Sequence, residues 1–144
     1  MQVYLSSNTP KYMSEFAHFA CKWLGIDKFR GEIYIDLKQT LEEESFGLCW
    51  GDRSICEIQL ASRQWGEPVS REDRLRTLAH ELTHAHQYLT GHLVPGETGE
   101  FKSVWLGEEV KYSAEDEDQT PWEQEASTVE ERIYDEWMSI NTKR

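Results

Sequence analysis

His80-Glu81-Leu82-Thr83-His84 sets two imidazoles and a carboxylate within five residues. On a helix, positions four apart stand one turn apart on the same face. His80 and His84 are therefore predicted to offer two nitrogens to one zinc ion. Glu81 sits one residue on, beside the position a metal-bound water would take. The pair supplies a Lewis-acid site and the carboxylate a base, the two requirements for hydrolysis by an activated water.

The flanking residues predict the helix that this spacing needs. Ser70 is an N-cap type, and Glu72 and Asp73 put negative charge in the first turn, where the helix dipole favours it. Leu75, Leu78, Leu82, Ala85 and Leu89 recur at three- and four-residue steps, an apolar stripe ending at Gly91. That stripe centres about 150° from the histidines at 3.6 residues per turn. One helix can then serve as both core and floor of a site.

Two histidines and a water leave tetrahedral zinc one protein ligand short. His86 is swung well round the helix from His80 and His84. Gln87 and Thr90 stand where a metzincin would carry Gly and His. His92, just past the helix, is a lesser alternative. Glu123 and Glu125 flank the apolar stripe of a C-terminal helix at comparable angles. Thr120 as N-cap, Pro121 at N1 and Glu123 at N3 read as a capping box, which gives Glu123 a structural task. Glu125 has none, so it is the favoured third ligand and Glu123 the alternative.

The other predicted elements are fewer and shorter. Thr9-Pro10 opens a first helix whose apolar face is Met13, Phe16, Ala17, Ala20, Trp23 and Leu24, with Gly25 its stop; His18 on it is a surface or packing residue. Glu32–Leu37 alternates as a strand. Residues 45–50 and 54–60 form a hairpin about Gly51-Asp52-Arg53. After Gly91 the chain is irregular, with Pro95, Gly96 and Gly99, before a second hairpin about Gly107. The run Glu115–Asp118 reads as a solvated loop. Trp122, Ala126, Val129, Ile133, Trp137 and Ile140 dock the last helix. No repeat or linker divides residues 1–144, so a single domain is expected.

Composition narrows the function classes. The formal net charge is −12, with 27 acidic against 15 basic residues, which argues against a nucleic-acid partner or an anionic membrane. Met1–Ser6 carries no signal-peptide pattern, and no apolar run reaches membrane-spanning length. Cys21, Cys49 and Cys56 show no C-x-x-C spacing and are expected to be reduced thiols; a Cys49–Cys56 bridge across the hairpin would be unexpected.

The blocks Thr77–His84, Trp105-x-Gly107, Tyr112 and Pro121-Trp122-Glu123-Gln124-Glu125-Ala126 together resemble a family of small phage and prophage metallopeptidases related to the SprT-like minimal zincins. The resemblance covers about residues 75–130. It implies an α+β minimal zincin-like fold, a small mixed or antiparallel sheet packed on the motif helix, and residence in the cytoplasm of a bacterial or phage-infected cell. It implies a zinc-dependent peptidase acting on a peptide or protein, with His80, His84 and Glu125 as ligands and Glu81 as general base. Gluzincins often follow their ligand Glu with Ala, as Glu125-Ala126 does here. They often carry an Asp four residues later to orient a histidine, where this chain has Val129. The strand Cys56–Leu60 would pair with substrate, and Tyr88 or Tyr112 would stabilise the oxyanion. Two rival functions are a zinc-stabilised binding module and a metal-dependent hydrolase of a non-peptide amide, such as a cell-wall crosslink.

Overall fold

The computed structural model describes residues 1–96 and 101–142; the expected irregularity at Gly99 lies outside them. In chain order the elements are β1 (Gln2–Leu5), α1 (Lys11–Leu24), β2 (Glu32–Lys38), β3 (Gly47–Gly51), β4 (Ile55–Ala61), the two-residue strands β5 (Arg63–Gln64) and β6 (Glu67–Pro68), α2 (Arg71–Thr90), β7 (Leu93–Pro95), β8 (Lys102–Trp105), β9 (Glu108–Lys111) and α3 (Pro121–Thr142). The fold is mixed α+β.

The main sheet has the order β1-β2-β4-β3, with β1, β2 and β4 parallel and β3 antiparallel to β4. Alternation explains its two faces. Ile33, Ile35 and Leu37 of β2 are buried with Cys56, Ile58 and Leu60 of β4, whereas Tyr34 and Glu57 point the other way and are exposed. The buried row packs with Met13, Phe16, Ala17 and Ala20 of α1 and with Leu75, Leu78, Leu82, Ala85 and Leu89 of α2. Every member of the expected α2 stripe is thus in the core. Ile133 and Tyr134 of α3 join the same cluster, while Ile140 is exposed.

The caps of α2 match its sequence signals. Ser70 Oγ accepts from the Asp73 amide at 3.1 Å, and Gly91 closes the helix in the left-handed region at φ 76°. Helix α1 begins one residue later than expected, at Lys11, because Thr9 turns its hydroxyl to Ser6. Both expected hairpins form. The second turns through Leu106 and Gly107, both at positive φ, the two-residue geometry that matches strand twist. Strand β7 adds to it as a third strand that sequence reading missed. The acidic run coils into an exposed 3₁₀ turn, Ala114–Gln119, rather than a loop.

The expected substrate strand has no open edge. Cys56–Leu60 lies within β4, which bonds β2 on one side and β3 on the other, so it has no edge to offer a substrate. Among the described residues the strand beside it, β3, has no strand bonded to its outer edge. A hairpin pattern does not say which of its strands a third strand will join, and here β2 joins the second. The cysteines are all free, and Cys49 lies opposite Ile58 rather than Cys56. No helix among the described residues is long and apolar enough to cross a membrane.

Leu82 is fully buried on the turn that carries His80 and His84. Leu82→Ala should cost about 3 kcal/mol of stability. Urea unfolding would check this, and a loss under about 1 kcal/mol would mean that the stripe does not anchor the helix.

Candidate metal centre

Helix periodicity turns His80 and His84 the same way, and their Nε2 atoms stand 3.2 Å apart. Glu123, in the first turn of α3, reaches both: its two carboxylate oxygens lie 3.0 Å from His80 Nε2 and 2.9 Å from His84 Nε2. Donors held roughly 2.0–2.1 Å from a tetrahedral zinc are about 3.3 Å from one another, so these separations fit one ion closely. Among the described residues these three form the group able to hold a metal. Two imidazoles and a carboxylate are the donor set of a catalytic zinc site, which keeps its fourth position open.

Glu125, the favoured third ligand, is placed elsewhere. Its Oε1 accepts from Gln87 Nε2 at 3.0 Å, and Glu123 takes the position expected of it. The capping argument misled because the capping box does not form. The Thr120 amide donates to the Glu117 carbonyl at the end of the preceding 3₁₀ turn, so it has no need of the Glu123 side chain. The Glu123 carboxylate is thereby left for the histidines. His92 packs against His86 and Trp105 and takes no part; His18 is exposed and bonds the Ser14 carbonyl.

The groups that orient the histidines went unseen in the sequence. His80 Nδ1 donates to Glu130 at 2.8 Å, and His84 Nδ1 to the Gln87 side-chain oxygen at 2.8 Å. Each bond puts a proton on Nδ1, so that Nε2, here hydrogen-bonded to Glu123, is the nitrogen left for a metal, as metal-binding histidines require. Position 129 is Val, and the task falls to Glu130, seven residues after Glu123 on the same helix face. That seven-residue interval was the available signal, and it appears only once Glu123 is taken as the ligand. Gln87 had been visible only as a departure from a metzincin.

Charge is strongly coupled here. Burial pulls His80 down, but hydrogen bonds to Glu123 and Glu130 and the charge of Glu81 outweigh it and raise its pKa to about 10. Burial pushes Glu123 up, but hydrogen bonds from His80 and His84 outweigh it and hold its carboxyl at about 2. Glu81 is 7% exposed, and burial raises its carboxyl above the ordinary range even though both histidines pull it down.

These residues floor a cavity of about 370 Å³. Gly47, Leu48 and Cys49 of the β3 edge line it, together with Tyr88, Leu93, Tyr112 and Trp122. The aromatic lining is built largely from the resemblance blocks, with Trp122 packed on Trp105 and edge-on to Tyr112. A second recess of about 400 Å³ shares Gly47, His80 and Glu81 and continues past Phe46, Thr77 and Glu130. The groove therefore runs on both sides of Glu81. No protein-family model matches the chain, and no curated protein sequence is significantly similar to it.

Gly47 lets the edge strand pass this close. A Cβ there would lie 2.6 Å from Thr77 Cγ2 and 3.1 Å from Glu81 Cγ, both on α2. Gly47→Ala should cost about 1–3 kcal/mol by overpacking, and Thr77→Ser, which deletes the nearer methyl, should return part of that loss. Thermal unfolding of the single and double variants would check it. Equal losses with and without Thr77→Ser would show that the strand does not bear on this turn.

Proposed function

We propose that the chain is a zinc-dependent metallopeptidase of the minimal zincin type, working in the cytoplasm of a bacterial or phage-infected cell. The observation that carries the reading is one placement. His80, His84 and Glu123 converge on a point next to the buried Glu81 carboxylate, in a groove walled by a free strand edge.

When bound, zinc would supply Lewis acidity, acidifying a water and polarising the scissile carbonyl. His80, His84 and Glu123 would hold it, so the ligand role moves from Glu125 to Glu123. Glu81, its carboxyl raised by burial, would accept the water's proton and return it to the leaving amine. Tyr88 and Tyr112 both line the cavity and are the phenols available to a developing oxyanion. Burial pushes the Tyr88 phenol up, which keeps it protonated and able to donate. An extended peptide can lie antiparallel or parallel to β3, whose outer edge has no neighbouring strand in the main sheet. Main-chain hydrogen bonds along β3 would then draw a peptide bond across Glu81 without demanding a particular side chain. The acidic surface, with its net charge of −12, leaves nucleic acid an unfavourable substrate.

Fragments of a peptide library, identified by mass spectrometry, give the test. Zinc-loaded wild type should cut, and Glu81→Gln should be about 10²–10⁴-fold slower while keeping one zinc per chain. Glu123→Ala should lose both zinc and cutting. Cleavage at equal rates in wild type and Glu81→Gln, or none by a zinc-loaded wild type across the library, would overturn the peptidase reading.

A further inference from the structure

We infer that Glu125 is a positioning residue that acts through Gln87 to set which nitrogen of His84 faces the site. Its bearing on metal affinity rests on the metal reading given above.

Gln87 is fully buried, although a glutamine is costly to bury unless every polar atom is bonded. All of them are. Its Nε2 donates twice, to the Trp122 carbonyl at 2.9 Å and to Glu125 Oε1 at 3.0 Å, while its Oε1 accepts from His84 Nδ1. The two acceptors decide which way the amide lies, because the opposite rotation would set its oxygen against a carbonyl and a carboxylate. It would also present N–H groups to His84 Nδ1 and drive the imidazole proton onto Nε2. That is the nitrogen lying 2.9 Å from Glu123 and 3.2 Å from His80 Nε2. The carboxylate of Glu125, with the Trp122 carbonyl, thus fixes an amide, the amide holds a proton on His84 Nδ1, and Nε2 is the nitrogen that can exchange its bond to Glu123 for a metal. Glu123 and Glu125 share the first turn and a half of α3, so one helix end delivers both the ligand and the lock.

The test compares full-length wild type, Glu125→Leu, Glu125→Gln and the exchange Gln87→Glu/Glu125→Gln. Zinc affinity is measured by competition with a chromophoric chelator. The hydrogen-bonded His84 Nδ1–H is followed in nitrogen-15 spectra of the zinc-loaded and metal-free chains, a signal that a general packing defect would not move. Glu125→Leu should weaken zinc binding about 10–100-fold and remove the Nδ1–H signal. Glu125→Gln still accepts from Gln87 and should stay within a few-fold of wild type. The exchange keeps one carboxylate and one amide in mutual hydrogen bond but sets a carboxylate oxygen against the Trp122 carbonyl, so it should recover only part of the affinity lost in Glu125→Leu. Unchanged zinc affinity and an intact Nδ1–H signal in Glu125→Leu would overturn the inference. So would zinc loss in Glu125→Gln as complete as in Glu123→Ala, which would make Glu125 a direct ligand. A wild type that takes up no zinc would end the metal reading instead, and the Nδ1–H signal of the metal-free chains would then decide the role of Glu125.

Discussion

Bringing the Glu123 carboxylate between two imidazoles is the constraint that organises the rest of the chain. Three polar groups leave water together, which is unfavourable unless each gains a partner of matching charge. Glu130 and Gln87 serve the outer nitrogens of the histidines, and Glu123 serves the inner ones. The first turns of α3 must therefore meet α2 at His84, while Glu130, two turns on, returns to His80. The aromatic cluster of Trp105, Tyr112 and Trp122 packs beside that meeting point, so the polar centre leans on apolar burial.

On its other side the centre is bounded by β3. The main sheet packs one face on α1 and α2, which leaves its last strand running along the motif helix with a free edge. A side chain at position 47 would hold the strand away from Glu81; glycine lets the strand backbone and the Glu81 carboxylate face the same groove.

What could be read from the sequence was what depends on local pattern. The α2 stripe, its caps at Ser70 and Gly91, the two hairpins and the shared face of His80 and His84 all follow from period and turn chemistry. What could not be read depends on how elements meet. The choice between Glu123 and Glu125 turned on whether the Thr120 amide needed a carboxylate, and a 3₁₀ turn that propensity did not announce supplied the Glu117 carbonyl first. Cys56–Leu60 is expected to pair with substrate because it precedes the motif helix, and a hairpin's own residues do not record that β2 will pair with its second strand and cover that edge. Glu130 acquires its meaning from a partner 50 residues away, and Gln87, although it bonds His84 three residues off, has its amide turned by groups 35 and 38 residues away. Their types were legible and their roles were not.

X-ray absorption at the zinc edge of the loaded wild-type chain tests the central claim most directly. One zinc per chain, four-coordinate, with two imidazoles, the remaining ligands oxygen and no sulfur, is the result expected of His80, His84, Glu123 and a solvent position. A sulfur in the shell would bring in Cys49 from the cavity wall, and a shell without two imidazoles would place the metal elsewhere. Either result would contradict the site described here.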